Sequence, residues 1–241
     1  MTFAYTLQFS VVALAGFVMV PSLWKEVTRI PWWVAVFSFV IACGAMYLTY
    51  TRGAMLGVVT GFLAFVILRS PKLLFALLII GVAGGIYAYT DDSRYFYLED
   101  PVRVNQWTAA AVSFLERPMF GLGFRNFETY SVVLKERYGF AMDTVDLQGN
   151  PVFFKGHAHN NFLEAFASTG LFGGIALLGF CYHWVRESLR GRYSLIFVPL
   201  IAAFLVSGLF ENTFYDSEVL NCILLIYLFS QWTGRGREGE K

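Results

Sequence analysis

The sequence predicts an all-α integral membrane protein, with about seven transmembrane helices of ~20 residues plus an extracytoplasmic loop that carries an amphipathic interfacial helix. Three observations predict it. Of the 241 residues, 57% are hydrophobic and only 15% charged, too little polar surface for a water-soluble globule. The apolar residues gather into runs near the ~20 residues a helix needs to cross hydrocarbon, without the alternation of barrel strands. Polar residues cluster just as unevenly, most of the carboxylates falling in one stretch between positions 90 and 158.

The first run, Ala4 to Leu23, ends in Trp24-Lys25-Glu26. It lacks the basic start and small-residue cleavage site of a signal peptide, so it reads as a span. The second covers Trp32 to Tyr50, with Trp32 and Trp33 as an interfacial belt. Thr51-Arg52-Gly53 separates it from a third, Ala54 to Leu68, and the basic turn Arg69-Ser70-Pro71-Lys72 leads into a fourth, Leu73 to Tyr89. After the polar stretch come Phe162 to Tyr182, Leu195 to Phe210 and Val219 to Trp232. The expected organisation is helices 1–4 over residues 1–90, the loop over 91–158, helices 5–7 over 159–233 and a cytoplasmic tail over 234–241. Cys43, Cys181 and Cys222 all lie in apolar runs and read as packing residues, with no disulfide implied.

Lysines and arginines in short loops set the orientation. Lys25/Arg29, Arg69/Lys72, Arg186/Arg190/Arg192 and Arg235/Arg237/Lys241 share one side if there are about seven spans of ~20 residues, and that side is expected to be cytoplasmic. Glu26, Glu187, Glu238 and Glu240 are the only carboxylates with them. Arg52, the polar loop and the acidic turn from Glu211 to Glu218 then lie outside. This arrangement starts the chain outside, so a fragment or a shortened member of something larger is expected. Net charge is +1, and no nucleic-acid partner is expected.

Within the loop, Pro101 to Arg117 reads as an amphipathic helix with proline at its start. Val104, Trp107, Ala111 and Phe114 would form its apolar face, with Arg103, Gln106, Ser113 and Arg117 on another. Such a helix is expected along the bilayer surface, aiming Arg103 at whatever sits there. Pro118-Met119-Phe120-Gly121-Leu122-Gly123 forces a turn. Lys135 to Lys155 reads as a mixed, polar segment touching substrate loosely if at all, with a turn or hairpin at Gln148-Gly149-Asn150-Pro151.

Reactive side chains concentrate in Gly156-His157-Ala158-His159-Asn160-Asn161-Phe162-Leu163-Glu164, where the loop meets the fifth run. His159 is either a capping residue or a general base, imidazole being able to accept a proton near neutral pH. Asn160 or Asn161 could cap the helix, and Glu164 falls in its first turn. His157 shares a face with His159 if the chain is extended. The pair could bind zinc, but no third ligand lies at useful spacing, so no metal and no cofactor is expected. Arg52, at a span end with no acidic neighbour, is either an interfacial anchor or an anion ligand. Together with Arg103 it would suit a pyrophosphate. Glu211 is either solvated or a partner for an arginine of the site. Gly170, Gly173 and Gly174 suit close approach of another helix. No Walker loop, dinucleotide fingerprint, Gly-x-Ser-x-Gly elbow or His-Glu-x-x-His is present.

Three pieces of the chain resemble the O-antigen ligase and polymerase superfamily of bacterial envelope glycosyltransferases. Leu48-Thr49-Tyr50-Thr51-Arg52-Gly53-Ala54 is similar to its Ser-Arg-Gly span junction, with threonine in place of serine. Arg103-Val104-Asn105-Gln106-Trp107, then Pro118 and Gly121-Leu122-Gly123-Phe124, resembles its Arg-x-x-x-Trp stretch and Pro-x-x-Gly-x-Gly turn. His159-Asn160 followed by Gly170-Leu171-Phe172-Gly173 resembles its His-Asn and Gly-x-x-Gly signature. The resemblance implies transfer of a glycan from an undecaprenyl-pyrophosphate donor to an acceptor hydroxyl of a glycan, lipid or protein, without metal, on the outer face of the inner membrane. His159 would be the catalytic base, Arg52 and Arg103 would hold the pyrophosphate, and His157, Asn160 and Glu211 would complete the substrate site. The resemblance also implies further spans before Met1. A polymerase of the same superfamily, an anionic-lipid transporter or flippase, and a non-catalytic scaffold are the alternatives. Transport would call for polar groups at mid-membrane depth, where the spans offer little beyond Thr60 and Ser207.

Overall fold

A computed structural model describes residues 2–70, 101–214 and 216–235. The fourth predicted span lies outside them, as does the tail beyond Arg235. Among the described residues the chain forms helices α1 (Thr2–Met19), α2 (Pro21–Val27), α3 (Trp32–Leu48), α4 (Arg52–Arg69), α5 (Pro101–Glu116), α6 (Asn126–Arg137), α7 (Asn161–Arg190), α8 (Ser194–Ser207) and α9 (Ser217–Arg235). One two-residue pair, β1 (Thr144–Val145) with antiparallel β2 (Pro151–Val152), is the sole sheet among them. The chain is an all-α membrane protein, as its composition predicts.

Each of the six predicted runs that falls on described residues is helical. By length and apolar composition, α4 and α7 qualify as membrane spans. Helices α1 and α2 make a third only if taken as one, because they bend by 108° at the break between them. The cause is Pro21, which drives the preceding Val20 out of the helical region, to φ −130° and ψ 78°. The run Ala4 to Leu23, read as continuous, is therefore broken. Helices α3, α8 and the Ser217–Gln231 part of α9 are apolar but shorter. Cys43, Cys181 and Cys222 are free, and Cys181 is buried.

The chain divides into two compact units. The first contains α1 to α4, α8 and α9, with the end of α7 from His183 onward. In it α4 packs on α8 and α1, and α1 also meets α3. Close approach is possible because α4 turns Gly57 towards Gln8 and the Ala203 carbonyl, and Gly61 towards Val12 and the Pro199 carbonyl. Buried Trp184 packs its ring on Phe204 and Tyr227 and donates its indole N–H to Ser230 Oγ at 3.2 Å.

The second unit takes the described part of Arg94–Tyr182 together with Gly208–Asn212. Its core joins Ala109 and Ala110 of α5, Phe127 of α6, Ala158, and Ala167 of α7, with Leu122, Phe140 and Leu163 around them. Helix α5 forms where predicted; the face it buries in the protein is Gln106, Ala109, Ala110 and Ser113, and Val104 and Ala111 of the predicted apolar face are exposed. Small residues turned inward let the helix lie close to its neighbours, and Phe114 sets its ring edge-to-face on Phe166 of α7, with centroids 5.5 Å apart. The segment after Lys135 is anchored to the unit by buried polar contacts. Lys135 Nζ meets Asp143 Oδ2 at 2.9 Å, with both side chains fully buried, and also donates to the Phe154 carbonyl. Asp143 accepts from Asn105 Nδ2 and from the Phe154 amide as well. Burial alone would raise the Asp143 carboxyl, but the bonds from Lys135, Asn105 and Phe154 outweigh it and hold its pKa below the usual value. The turn between the strands is closed by Asp146 Oδ1, which accepts from the Gln148 and Asn150 amides, at the hairpin position the sequence predicts.

Removing one partner of a buried ion pair strands the other charge. Lys135→Met is therefore expected to destabilise this unit by ~3–5 kcal/mol, whereas Lys135→Met combined with Asp143→Leu recovers most of the loss. Thermal unfolding in detergent checks both, and a single variant as stable as the wild type would remove this pair from the fold's supports.

Candidate functional site

The site residues are brought together by two segments of the second unit. Leading into α7, the chain from Gly156 to His159 is not helical. Ala158 is fully buried in the core, so its neighbours His157 and His159 project to the opposite side, as alternation along an extended chain requires. Their ring centroids are 4.4 Å apart. His159 itself adopts φ 46°, in the left-handed region, which turns the chain directly into the helix.

Asn160 caps α7. Its Oδ1 accepts from the Phe162 and Leu163 amides at 2.9 and 3.0 Å, and its Nδ2 donates to the Leu209 carbonyl at 3.0 Å. An amide read as a substrate ligand is thus engaged at both ends within the fold. Glu164 reaches back from the first turn, accepting from the Ala158 amide with Oε2 and from Ser168 with Oε1.

The second segment, Gly208 to Asn212, lies along the first. The Asn161 amide donates to the Gly208 carbonyl at 2.7 Å, Asn160 to Leu209, and then Glu211 meets both histidines. Glu211 Oε1 is 2.6 Å from His157 Nε2 and 2.9 Å from His159 Nδ1, and it also accepts from the Asn212 amide. The Glu211 side chain is 7% exposed, the rings of His157 and His159 32% and 27%. The sequence offers solvent or an arginine as the partner of Glu211; among the described residues it is instead the common anchor of the two imidazoles.

Burial alone would raise the Glu211 carboxyl, but the hydrogen bonds from His157 and His159 and the charge of those rings outweigh it, bringing its pKa down to about 2. Glu211 is ionised at any physiological pH. Burial opposes the His157 cation, yet the bond to Glu211 and its charge, followed by Glu164 and Glu128, raise its pKa above the ordinary imidazole value. A carboxylate has no proton to give, so both facing ring nitrogens carry hydrogen and donate to it. In neutral His159 the proton is then on Nδ1, and the lone pair is on Nε2.

The glycines read as a helix-packing face act differently. Helix α7 is broken at Gly170, whose φ 66° and ψ −160° only glycine adopts readily. The turn after α5 inserts there: the Leu122 amide bonds the Ala167 carbonyl at 3.0 Å, Gly123 bonds Ser168 at 2.8 Å, and Leu171 bonds back to Pro118 at 2.7 Å. The predicted turn and the predicted Gly-x-x-Gly are thus two halves of one joint. Gly173 and Gly174 face Thr169 and Phe166 of their own helix.

A family model described as O-antigen ligase matches residues 37–178. That stretch is more than half of the chain and contains α4, the α5 helix, the turn at Gly121 and the His157–Asn160 segment. The chain belongs to the O-antigen ligase family. No curated protein matches it. As an O-antigen ligase family member it is a membrane protein of a glycosyltransferase-like superfamily of ligases and polymerases, with glycan and lipid substrates at the family level. Glu211 lies beyond the matched stretch, although it contacts both histidines within it. Of the arginines read as site residues in this O-antigen ligase relative, Arg103 is half-buried on α5 in the same unit as the histidines. Arg52 is the exposed first residue of α4, in the other unit. That helix start has no side-chain cap and no acidic residue in its first turn. The guanidinium adds to the positive end of the helix dipole, an arrangement that an anion relieves.

Proposed function

We propose that this chain transfers a glycan from undecaprenyl pyrophosphate to an acceptor hydroxyl, at the extracytoplasmic face of the bacterial inner membrane. The observation that carries this reading is the His159–Glu211 contact. An ionised carboxylate on Nδ1 leaves Nε2 as an acceptor for the hydroxyl proton, and stabilises the imidazolium that forms. The acceptor oxygen bonds to the anomeric carbon as the bond from that carbon to the pyrophosphate oxygen breaks. The hydroxyl proton passes to His159, and undecaprenyl pyrophosphate departs with the electron pair. One displacement inverts the anomeric centre. Arg52 and Arg103 are assigned to the pyrophosphate, where fixed cations lower the energy of the growing negative charge. Glu211 is a positioning residue, holding the base in one tautomer, and His157 keeps that carboxylate charged.

The test is to incubate the purified full chain with undecaprenyl-pyrophosphate glycan and watch for released undecaprenyl pyrophosphate, in chelator as well as in magnesium. Release in both is expected, and Arg103→Ala is expected to raise KM for the donor. Supplying lipid A core in one arm and a growing glycan in another tells a ligase from a polymerase. Absence of release with every acceptor would end the enzymatic reading.

A further inference from the structure

The cluster that orients the base is also a ligand set. One ring nitrogen of His157, one of His159 and a Glu211 carboxylate oxygen all lie within 4.8 Å of one another, and the nitrogens that meet Glu211 Oε1 are His157 Nε2 and His159 Nδ1. Chain spacing alone shows only the two histidines, because Glu211 is 52 residues beyond His159. Two imidazoles and one carboxylate with an open fourth position form a donor set that suits zinc. Magnesium and calcium prefer oxygen-only shells.

We propose that His157, His159 and Glu211 form a zinc site, and that zinc bound there switches the base off. This second clause rests on the assignment of His159 under Proposed function; the first does not. Tetrahedral zinc with bonds of ~2.0–2.2 Å holds its ligand atoms ~3.3 Å apart. The present separations of 2.6 and 2.9 Å from Glu211 therefore need to open by about half an ångström, which partly exposed imidazole rings can accommodate. Those rings also provide the entry path, and water takes the fourth position.

The consequence for catalysis follows from the tautomer. Zinc binds a nitrogen lone pair, so on His159 it occupies Nδ1 and leaves the ring hydrogen on Nε2. An Nε2–H donates a hydrogen bond and cannot take a proton. The metal would also draw on the Glu211 carboxylate that stabilises the imidazolium. Zinc at this position is thus an inhibitor of the O-antigen ligase reaction, acting in competition with the two hydrogen bonds that arm the base.

Isothermal titration of zinc chloride into the purified full chain in detergent tests the site directly. One zinc per chain is expected, with His157→Gln and Glu211→Gln each weakening affinity by more than ~10-fold, the loss seen even when a group that only buttresses a metal ligand is removed. Cobalt is expected to give the intense visible bands of tetrahedral coordination with the wild-type chain, a readout needing no variant to fold. No binding, or affinity unchanged in both variants, would overturn the site. Glycan transfer is expected to fall with zinc and to return on chelation. Zinc bound with one ion per chain and transfer undiminished would overturn the inhibitory clause while leaving the site. Failure of the enzymatic reading would instead show as no transfer before any zinc is added.

Discussion

His159→Ala is expected to lower glycan transfer by about a hundred- to ten-thousand-fold, the usual contribution of a positioned general base. The protein should remain in the membrane with its donor affinity little changed, because the pyrophosphate is assigned to arginines. The loss should appear in kcat. Glu211→Gln supplies the sharper comparison. A glutamine is neutral and can turn its NH2 towards Nδ1, which places the His159 proton on Nε2, the wrong nitrogen for a base. A kcat loss approaching that of His159→Ala is therefore expected, with KM for the donor held. His157→Gln, which removes neither the base nor the contact that orients it, is expected to cost less. Transfer unchanged in His159→Ala would remove the base from the mechanism, and unchanged transfer in Glu211→Gln would reduce the carboxylate to a fold contact.

The second large effect concerns folding. Gly170→Ala is expected to destabilise the second unit by ~2–6 kcal/mol, combining ~1–3 for a side chain held in a glycine-only backbone conformation with ~1–3 or more for overpacking. A Cβ there would stand 2.5 Å from the carbonyl carbon and oxygen of Met119. Gly121→Ala should behave alike, since its Cβ would meet the Ser168 backbone at 2.5 Å and its φ is also 66°. Gly139→Ala separates strain from crowding, because Gly139 has φ 62° with no atom within 4 Å of an added Cβ. Thermal unfolding of the three variants in detergent reads the difference. A Gly170→Ala protein no less stable than Gly139→Ala would contradict the joint.

Much of this was legible in the sequence, and the failures share a physical cause. The His-x-His spacing predicts two rings on one face, because a period of two is local geometry. Asn160 as a cap, the proline-led α5 helix and the turn at Gly149 are equally local. Even the missed α6 has a signal: Phe127, Ser131 and Leu134 recur at helical spacing and are buried, with Glu128 near its start and Lys135 and Arg137 at its end. Contacts across long stretches left no such trace. Glu211 has nothing in its neighbourhood that names histidines as its partners, and an arginine was the more obvious counter-ion.

The carboxylate that holds both histidines is supplied late. Between His159 and Glu211 the ribosome must add 52 further residues, about 3 to 10 seconds of translation at ~5–20 residues per second. Over that interval a nascent chain carries both imidazoles without the Glu211 carboxylate that bonds them. Assembly order, and not only final geometry, thus leaves the two imidazoles without this contact until helix α8 has been made and Gly208 can settle against Asn161.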